Sequence, residues 1–387
     1  MRICWCRHLI PRTFFKENAI IEPMEKKKIL MVCEAFGGGV FAYVSQLCND
    51  MCEDFDVYLA YALRPQTPKN YMEAMDPRVH MIEVKTFGGR LTNFFQDVLA
   101  VKELQKIAKA VKPDVIHLHS SIAGGVGRIA FTSCKRYKVV YTPHGYAHIL
   151  MGSPNSLNCR LYKFMELVLG KRNCITLTCC ESEDEEARKL TRRTAFVETG
   201  VNVSDLSATI DPIVPEKQER FTVYAMGRMC VQKQPELFNE IALRVPEADF
   251  VWIGTGKLEN RLSAPNLKIT GWKPRHEAIA MGKGADVYIL CSLGEAIAMS
   301  LIENMYMGKL CLVSNVMGNK SVIKNGVNGF VCTTVDDYVQ HIKEAMKSFP
   351  HQIAAQAAKD VREHYNTERM KRDYVKFYYD AIEGKFD

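Results

Sequence analysis

Apolar side chains never run on for as many as about 18 positions in this 387-residue chain, so no helical membrane span is encoded. The 14 cysteines are scattered singly or as apolar fillers such as Cys311 and Cys332, without the paired C-x2-C sets of a zinc site. No secretory hydrophobic segment is apparent either, so the expectation is a reducing cytoplasm and free thiols. No D-x-D motif follows a strand where a metal-dependent site would need it. With 47% apolar and 25% charged residues, whole-chain disorder, collagen and coiled coil are excluded.

What is present is enough chain for two cores of roughly 150 to 200 residues each. The formal charge of +7 is unevenly spread: Lys+Arg minus Asp+Glu is 28 minus 21 over residues 1–199 and 23 minus 23 over the rest. A basic half beside a neutral half suits an anionic ligand or an anionic membrane surface. Residues 1–23 form an irregular, basic, Cys- and Arg-bearing extension, and Met24 directly before the first clean strand is the expected natural start.

Strand-like runs then alternate with helical stretches. Lys28 to Cys33 (KILMVC), Asp56 to Tyr61, Asp114 to His119, Val139 to Thr142, Cys174 to Cys180 and Phe196 to Val197 read as strands of a first domain over 24–205. The polar, Pro-bearing stretch over 206–220 reads as a linker. Six further runs, from Phe221 to Met226 through Phe330 to Cys332, make a second α/β domain over 221–366. Residues 367–387 hold a helix whose Met370, Tyr374, Phe377, Tyr378 and Ile382 share one face, which is expected to return to the first domain. Two doubly wound parallel sheets facing each other leave a cleft at their strand ends, where ligands of such folds bind.

The segment Cys291 to Met305 (CSLGEAIAMSLIENM) is the most informative. It sets Glu295 in a strand-to-helix turn and Glu303 on the helix that follows, eight residues on. Unpaired N–H groups at a helix start favour a phosphate or sugar oxygen. Gly227-Arg228 follows another strand, with Lys233 five residues later and Pro235 beyond. Two fixed cations there suit an anionic group such as a phosphate. His144 ends a strand in Thr-Pro-His-Gly-Tyr, His117 and His119 lie in DVIHLHSS, and Gly37, Gly38 and Gly39 form a turn after the first strand.

Together these features resemble glycosyltransferase family 4, with its two-Rossmann-domain GT-B architecture, over nearly everything from Lys28 onward. The resemblance implies that Glu295 and the amides of Ala296 and Ile297 hold donor sugar and phosphate, and that Glu303 bonds the nucleotide ribose. Arg228 and Lys233 would grip the diphosphate, with Gly227 shaping that turn. Gly271 and Trp272 would flank the base. It further implies His144 near the reaction centre, His119 on the acceptor side, His117 as structural, and Gly37 to Gly39 approaching donor phosphate from the facing domain. Family members retain anomeric configuration, need no metal, and pass a sugar from a nucleotide-diphosphate donor, with UDP-sugars favoured here. The expected acceptor is a saccharide or lipid-linked saccharide in capsule, exopolysaccharide or lipopolysaccharide synthesis at the inner face of the cytoplasmic membrane, and no nucleic-acid partner is implied. Charge reversal at Arg228 or Lys233 is expected to abolish turnover and leave folding intact. The chain departs from the family pattern at Ala296, where Gly is usual, and at Gly308-Lys309-Leu310, which lacks the usual Pro.

Three other readings use the same residues. Gly37, Gly39 and Ala42 satisfy G-x-G-x-x-A, the dinucleotide fingerprint of an oxidoreductase, yet the second strand ends without the acidic residue that a ribose needs. A non-hydrolysing nucleotide-sugar epimerase would share fold and donor class, with Glu295 but no evident partner carboxylate. A non-catalytic sugar-nucleotide binder would have no reason to keep Arg228, Lys233, Glu295 and Glu303 together.

Overall fold

A computed structural model describes residues 25–87, 94–133, 136–150, 156–216 and 218–386. The N-terminal extension and its Met24 lie outside the described residues. Among the described residues, thirteen strands form two parallel sheets. The first holds β1 (Lys28–Cys33), β2 (Asp56–Tyr61), β3 (His80–Glu83), β4 (Val115–His119), β5 (Lys138–Thr142), β6 (Ile175–Thr178) and β7 (Thr194–Phe196), in the order 3-2-1-4-5-6-7. The second holds β8 (Thr222–Met226), β9 (Asp249–Ile253), β10 (Leu267–Ile269), β11 (Val287–Leu290), β12 (Leu310–Ser314) and β13 (Phe330–Cys332), in the order 10-9-8-11-12-13. Central strands such as Ile29 to Cys33 and Leu310 to Val313 are buried on both faces, which is why they read as unbroken apolar runs rather than alternating ones.

Each sheet reverses its winding at one point, between β1 and β4 in the first and between β8 and β11 in the second. The chain leaving those strands cannot be covered by a helix on either side, so a crevice opens at each reversal. Both crevices contribute to one cleft.

Two elements differ from the sequence expectation. β3 carries no strand signal in the sequence, because its pattern HMIE is half polar and it lies at the sheet edge with little burial. The presumed linker begins with a helix, Val203–Ile210. Asn202 accepts a hydrogen bond from the Asp205 N–H as its cap, and Leu206 and Ile210, four apart, bury one face. Polar residues on the other face hid it.

The C-terminal helix Thr367–Ile382 lies on the first domain. Met370, Tyr374, Phe377, Tyr378 and Ala381 enter the core built by Ile29, Val44, Leu47 and Phe55. Its tyrosines are satisfied there: Tyr374 shares a 2.7 Å hydroxyl contact with Tyr43, and Tyr378 lies 2.7 Å from His117 Nδ1. The eleven cysteines among the described residues are all unbridged.

Candidate active site

The second-domain wall is assembled from two turns that leave β8 and β11. After β8 the chain passes Gly227 and Arg228 into a short 3-10 turn, Val231–Lys233. After β11 it passes Ser292 and Glu295 toward the helix Met299–Tyr306. Side chains tie the two turns together: Gln232 Nε2 donates to the Gly294 carbonyl at 2.8 Å and Gln234 Nε2 to the Cys291 carbonyl at 2.6 Å. Lys233 Nζ then meets Glu295 Oε1 at 2.5 Å, and Ser292 Oγ donates to the same oxygen at 2.6 Å. Arg228 stands exposed beside them. No side chain caps the helix Met299–Tyr306, so the free N–H groups of its first turn face the cleft with Ala296, Ile297, Met299 and Ser300.

The first-domain wall faces it across a cleft of about 1190 Å³. Gly37, Gly38 and Gly39 line it at the start of the helix Gly38–Met51. Gly38 has φ +55°, and a Cβ on Gly37 would come within 3.0 Å of the Gln66 Cβ, so this turn needs glycine. His144 sits on the same wall at the end of β5 with φ +55°. The buried Glu183 shapes that turn by accepting from the Gly145 N–H at 2.7 Å and the Cys179 N–H at 2.8 Å. Tyr43 meets the His144 ring edge-on, with centroids 4.7 Å apart. Burial lowers the His144 pKa to about 3, so the ring is a neutral hydrogen-bonder at physiological pH and not a cation.

His119, expected at the acceptor side, is fully buried and does not reach the cleft wall. It stands behind His144, with His119 Nδ1 3.0 Å from His144 Nε2 and the rings stacked, and its other nitrogen lies 3.4 Å from Met31 Sδ. The strand register causes this. His119 pairs with Thr142 on β5, so the two residues that follow Thr142 carry His144 past the strand end and over it. His117 is buried between Tyr378 and Thr142, as a structural histidine should be.

Glu303 is half-buried and pairs with Arg275 at 2.8 Å; it is not among the residues that line the main cleft, although Ser300, one turn earlier on the same helix, is. Gly271 pairs with Gly254 at the ends of β10 and β9, and Trp272 beside it is 74% exposed. Both belong to the same edge of strand ends as Gly227, whose carbonyl accepts from Trp252 Nε1 at 3.0 Å.

Glu34 and Arg64, which no motif in the sequence singles out, also line the cleft. Glu34 follows β1 directly and is 5% exposed, paired with the Arg64 guanidinium and accepting from Ser120 Oγ at 3.0 Å. Burial pushes its carboxyl upward against the pull of Arg64. A lone acid after a strand has no spacing signature, and only its position at the winding reversal could have marked it.

Residues 37–205 match the family described as Glycosyltransferase Family 4, and residues 207–360 match Glycosyl transferases group 1. The chain is 31% identical over 270 residues to the Escherichia coli UDP-Gal:alpha-D-GlcNAc-diphosphoundecaprenol alpha-1,3-galactosyltransferase, spanning 62% of this chain and 68% of that one. It is 25% identical over 265 residues to the putative glycosyltransferase EpsD of Bacillus subtilis, spanning 61% and 68%. The fold is also that of sucrose-phosphate synthase from Thermosynechococcus elongatus, with TM-score 0.76 at 15% identity over 92% of this chain and 99% of that one. Anabaena HepE, solved with UDP and glucose, gives TM-score 0.71 at 16% identity over 91% and 99%. Sequence and architecture therefore agree that this chain belongs to glycosyltransferase family 4 and is a GT-B glycosyltransferase of the kind that builds bacterial polysaccharides.

Proposed function

We propose that the enzyme moves a hexose or N-acetylhexosamine from a UDP-sugar to a saccharide carried on a lipid diphosphate, with retention at the anomeric carbon. The observation that carries this reading is the convergence of Arg228, Lys233 and Glu295 on one cleft opposite Gly37 to Gly39 and His144. The Escherichia coli relative, named for UDP-Gal and a diphosphoundecaprenol acceptor, supports the donor and acceptor class.

In this scheme Arg228 and Lys233 take the diphosphate, and the Ala296 and Ile297 amides bind the remaining phosphate and sugar oxygens together with Glu295. The C1–O bond breaks with its electron pair passing to the diphosphate oxygen, whose charge the two cations and the open helix start stabilise. The acceptor oxygen bonds C1 from the same face and gives its proton to the departing phosphate. His144, neutral, positions a sugar hydroxyl. Glu303 takes the ribose by exchanging its contact with Arg275, and Gly271 with Trp272 borders the base. Cations of the chain serve where other transferases use a metal, so turnover should survive a chelator. An acceptor anchored in lipid sets the enzyme on the cytoplasmic face of the membrane.

The test is thermal stabilisation across UDP-, GDP-, ADP- and dTDP-sugars, with NADH and NADPH included, since a ligand of the native state raises its melting temperature. A shift with a UDP-sugar is expected. Glu303→Ala should weaken that nucleotide by roughly 10- to 150-fold, the worth of a hydrogen bond to a charged group. A shift with a dinucleotide alone would overturn the reading.

A further inference from the structure

The helix Leu157–Leu169 is built inside out. Its acid points inward: Glu166 is 6% exposed, accepts from Arg128 at 2.8 Å and from the Tyr141 hydroxyl at 2.9 Å, and the Arg128 guanidinium lies 4.2 Å over the Tyr141 ring. Most of its large apolar residues point outward, Leu169 at its end being buried. Leu157, Leu161, Phe164 and Val168 are 82%, 54%, 64% and 47% exposed, and their spacing of four, three and four residues makes them one continuous stripe. Scattered exposed leucines are ordinary, but a full-length apolar stripe on a helix locked in place by a buried ion pair marks an interaction face.

What covers the stripe is indicated by its surroundings. The C-terminal end of the helix, through Leu167 and Gly170 to Lys171 and Arg172, forms one wall of a cavity of about 1020 Å³ lined by seven Lys and Arg side chains and no acid. Lys171, Arg172 and Arg192 have no acidic partner among the described residues. An apolar stripe continuous with a cationic cavity matches the two layers of an anionic bilayer surface, acyl chains below and phosphate headgroups above. Position argues the same way. The short helix Ala147–Leu150, against which this helix packs, contributes Leu150 to the catalytic cleft, and Cys159 Sγ donates to the His148 carbonyl at 2.9 Å.

We propose that the helix Leu157–Leu169 lies in the membrane interface with Leu157, Leu161, Phe164 and Val168 among the acyl chains, while Lys171, Arg172 and Arg192 hold lipid phosphate in the adjoining cavity. The cleft mouth then opens beside the bilayer, where a lipid-carried acceptor presents its sugar. This rests on the reading of a lipid-linked acceptor and adds the surface that meets the lipid.

Co-sedimentation of the full chain with phosphatidylcholine vesicles containing about one third phosphatidylglycerol reads the proposal directly. The wild type should pellet with these vesicles and stay in solution with phosphatidylcholine alone. Leu161→Glu with Phe164→Glu should weaken binding by roughly 100-fold or more. Lys171→Ala with Arg172→Ala and Arg192→Ala should weaken it on the order of 100-fold. All five residues are outside the cleft, so melting temperature and transfer to a water-soluble acceptor should be unchanged in both variants. Binding that survives both sets of changes overturns the inference. So does a wild type that is dimeric by light scattering and becomes monomeric in the Leu161→Glu, Phe164→Glu variant. Loss of soluble-acceptor transfer in the wild type would instead count against the proposed function, so the two failures are distinguishable.

Discussion

Glu295 Oε1 receives two donors at once, Lys233 Nζ at 2.5 Å and Ser292 Oγ at 2.6 Å, so a single carboxylate oxygen joins the turn after β8 to the turn after β11. The two charges are mostly shielded, with Lys233 19% and Glu295 10% exposed at the side chain. Removing one leaves the other buried without a counter-charge. This revises the expectation that charge reversal at Lys233 spares folding. Lys233→Glu should lose turnover and also about 2 kcal/mol of stability, read as a lower melting temperature. Arg228→Glu, at an exposed position, should lose turnover with its melting temperature unchanged. Equal melting temperatures in the two variants would refute this distinction. That Arg228, Lys233 and Glu295 share one cleft was legible in the sequence because each lies just beyond the end of a strand. The Lys233–Glu295 pairing was not, since 62 residues separate them and only the β8–β11 pairing closes the distance.

Elements were legible in proportion to how fully they are buried. Strands enclosed on both faces, such as β1, β4 and β12, announce themselves as apolar runs. The exposed edge strand β3 and the helix Val203–Ile210 do not, because each has a wet side whose polar residues resemble a loop. The C-terminal helix is an intermediate case: its apolar face was plain, but the polar tips on that face have partners that only the fold reveals. Tyr378→Phe tests one of them. It removes the 2.7 Å contact to His117 Nδ1 in a fully buried setting and leaves that nitrogen unpartnered, which should cost about 1–3 kcal/mol in denaturant unfolding. An unchanged unfolding midpoint would mean that His117 finds another partner.

At the scale of the whole molecule, the cationic excess of residues 1–199 was evident from composition, but its collection around one cavity was hidden because three separate segments supply it. The three linked histidines bring a pH dependence of the whole fold. Burial lowers the pKa of His117, His119 and His144, the last to about 3, each reinforced or bordered by its neighbours. The unfolded chain therefore binds more protons than the native one below the ordinary histidine value near 6.5, so stability present above that pH declines as the solution is acidified. Each histidine contributes up to about 1.4 kcal/mol per pH unit in that window, offset in part by Glu34 and Glu183, whose buried carboxyls are raised and gain from protonation. Melting temperature should fall between pH 6.5 and 5, and replacing His144 with Gln should flatten the slope; a profile level across that range would contradict it. The return of the C-terminal helix to the first domain has a mechanical consequence. The chain crosses between the domains twice, and the crossings run side by side, with Val201 bridged to Asn366 and Gly200 so close to the Asn366 carbonyl that a Cβ would lie 2.2 Å from it. One tether would let the two halves swivel freely. Two tethers bonded edge to edge resist twisting of one half against the other more than a single tether would, which holds Arg228 in register with the Gly37 to Gly39 turn across the cleft.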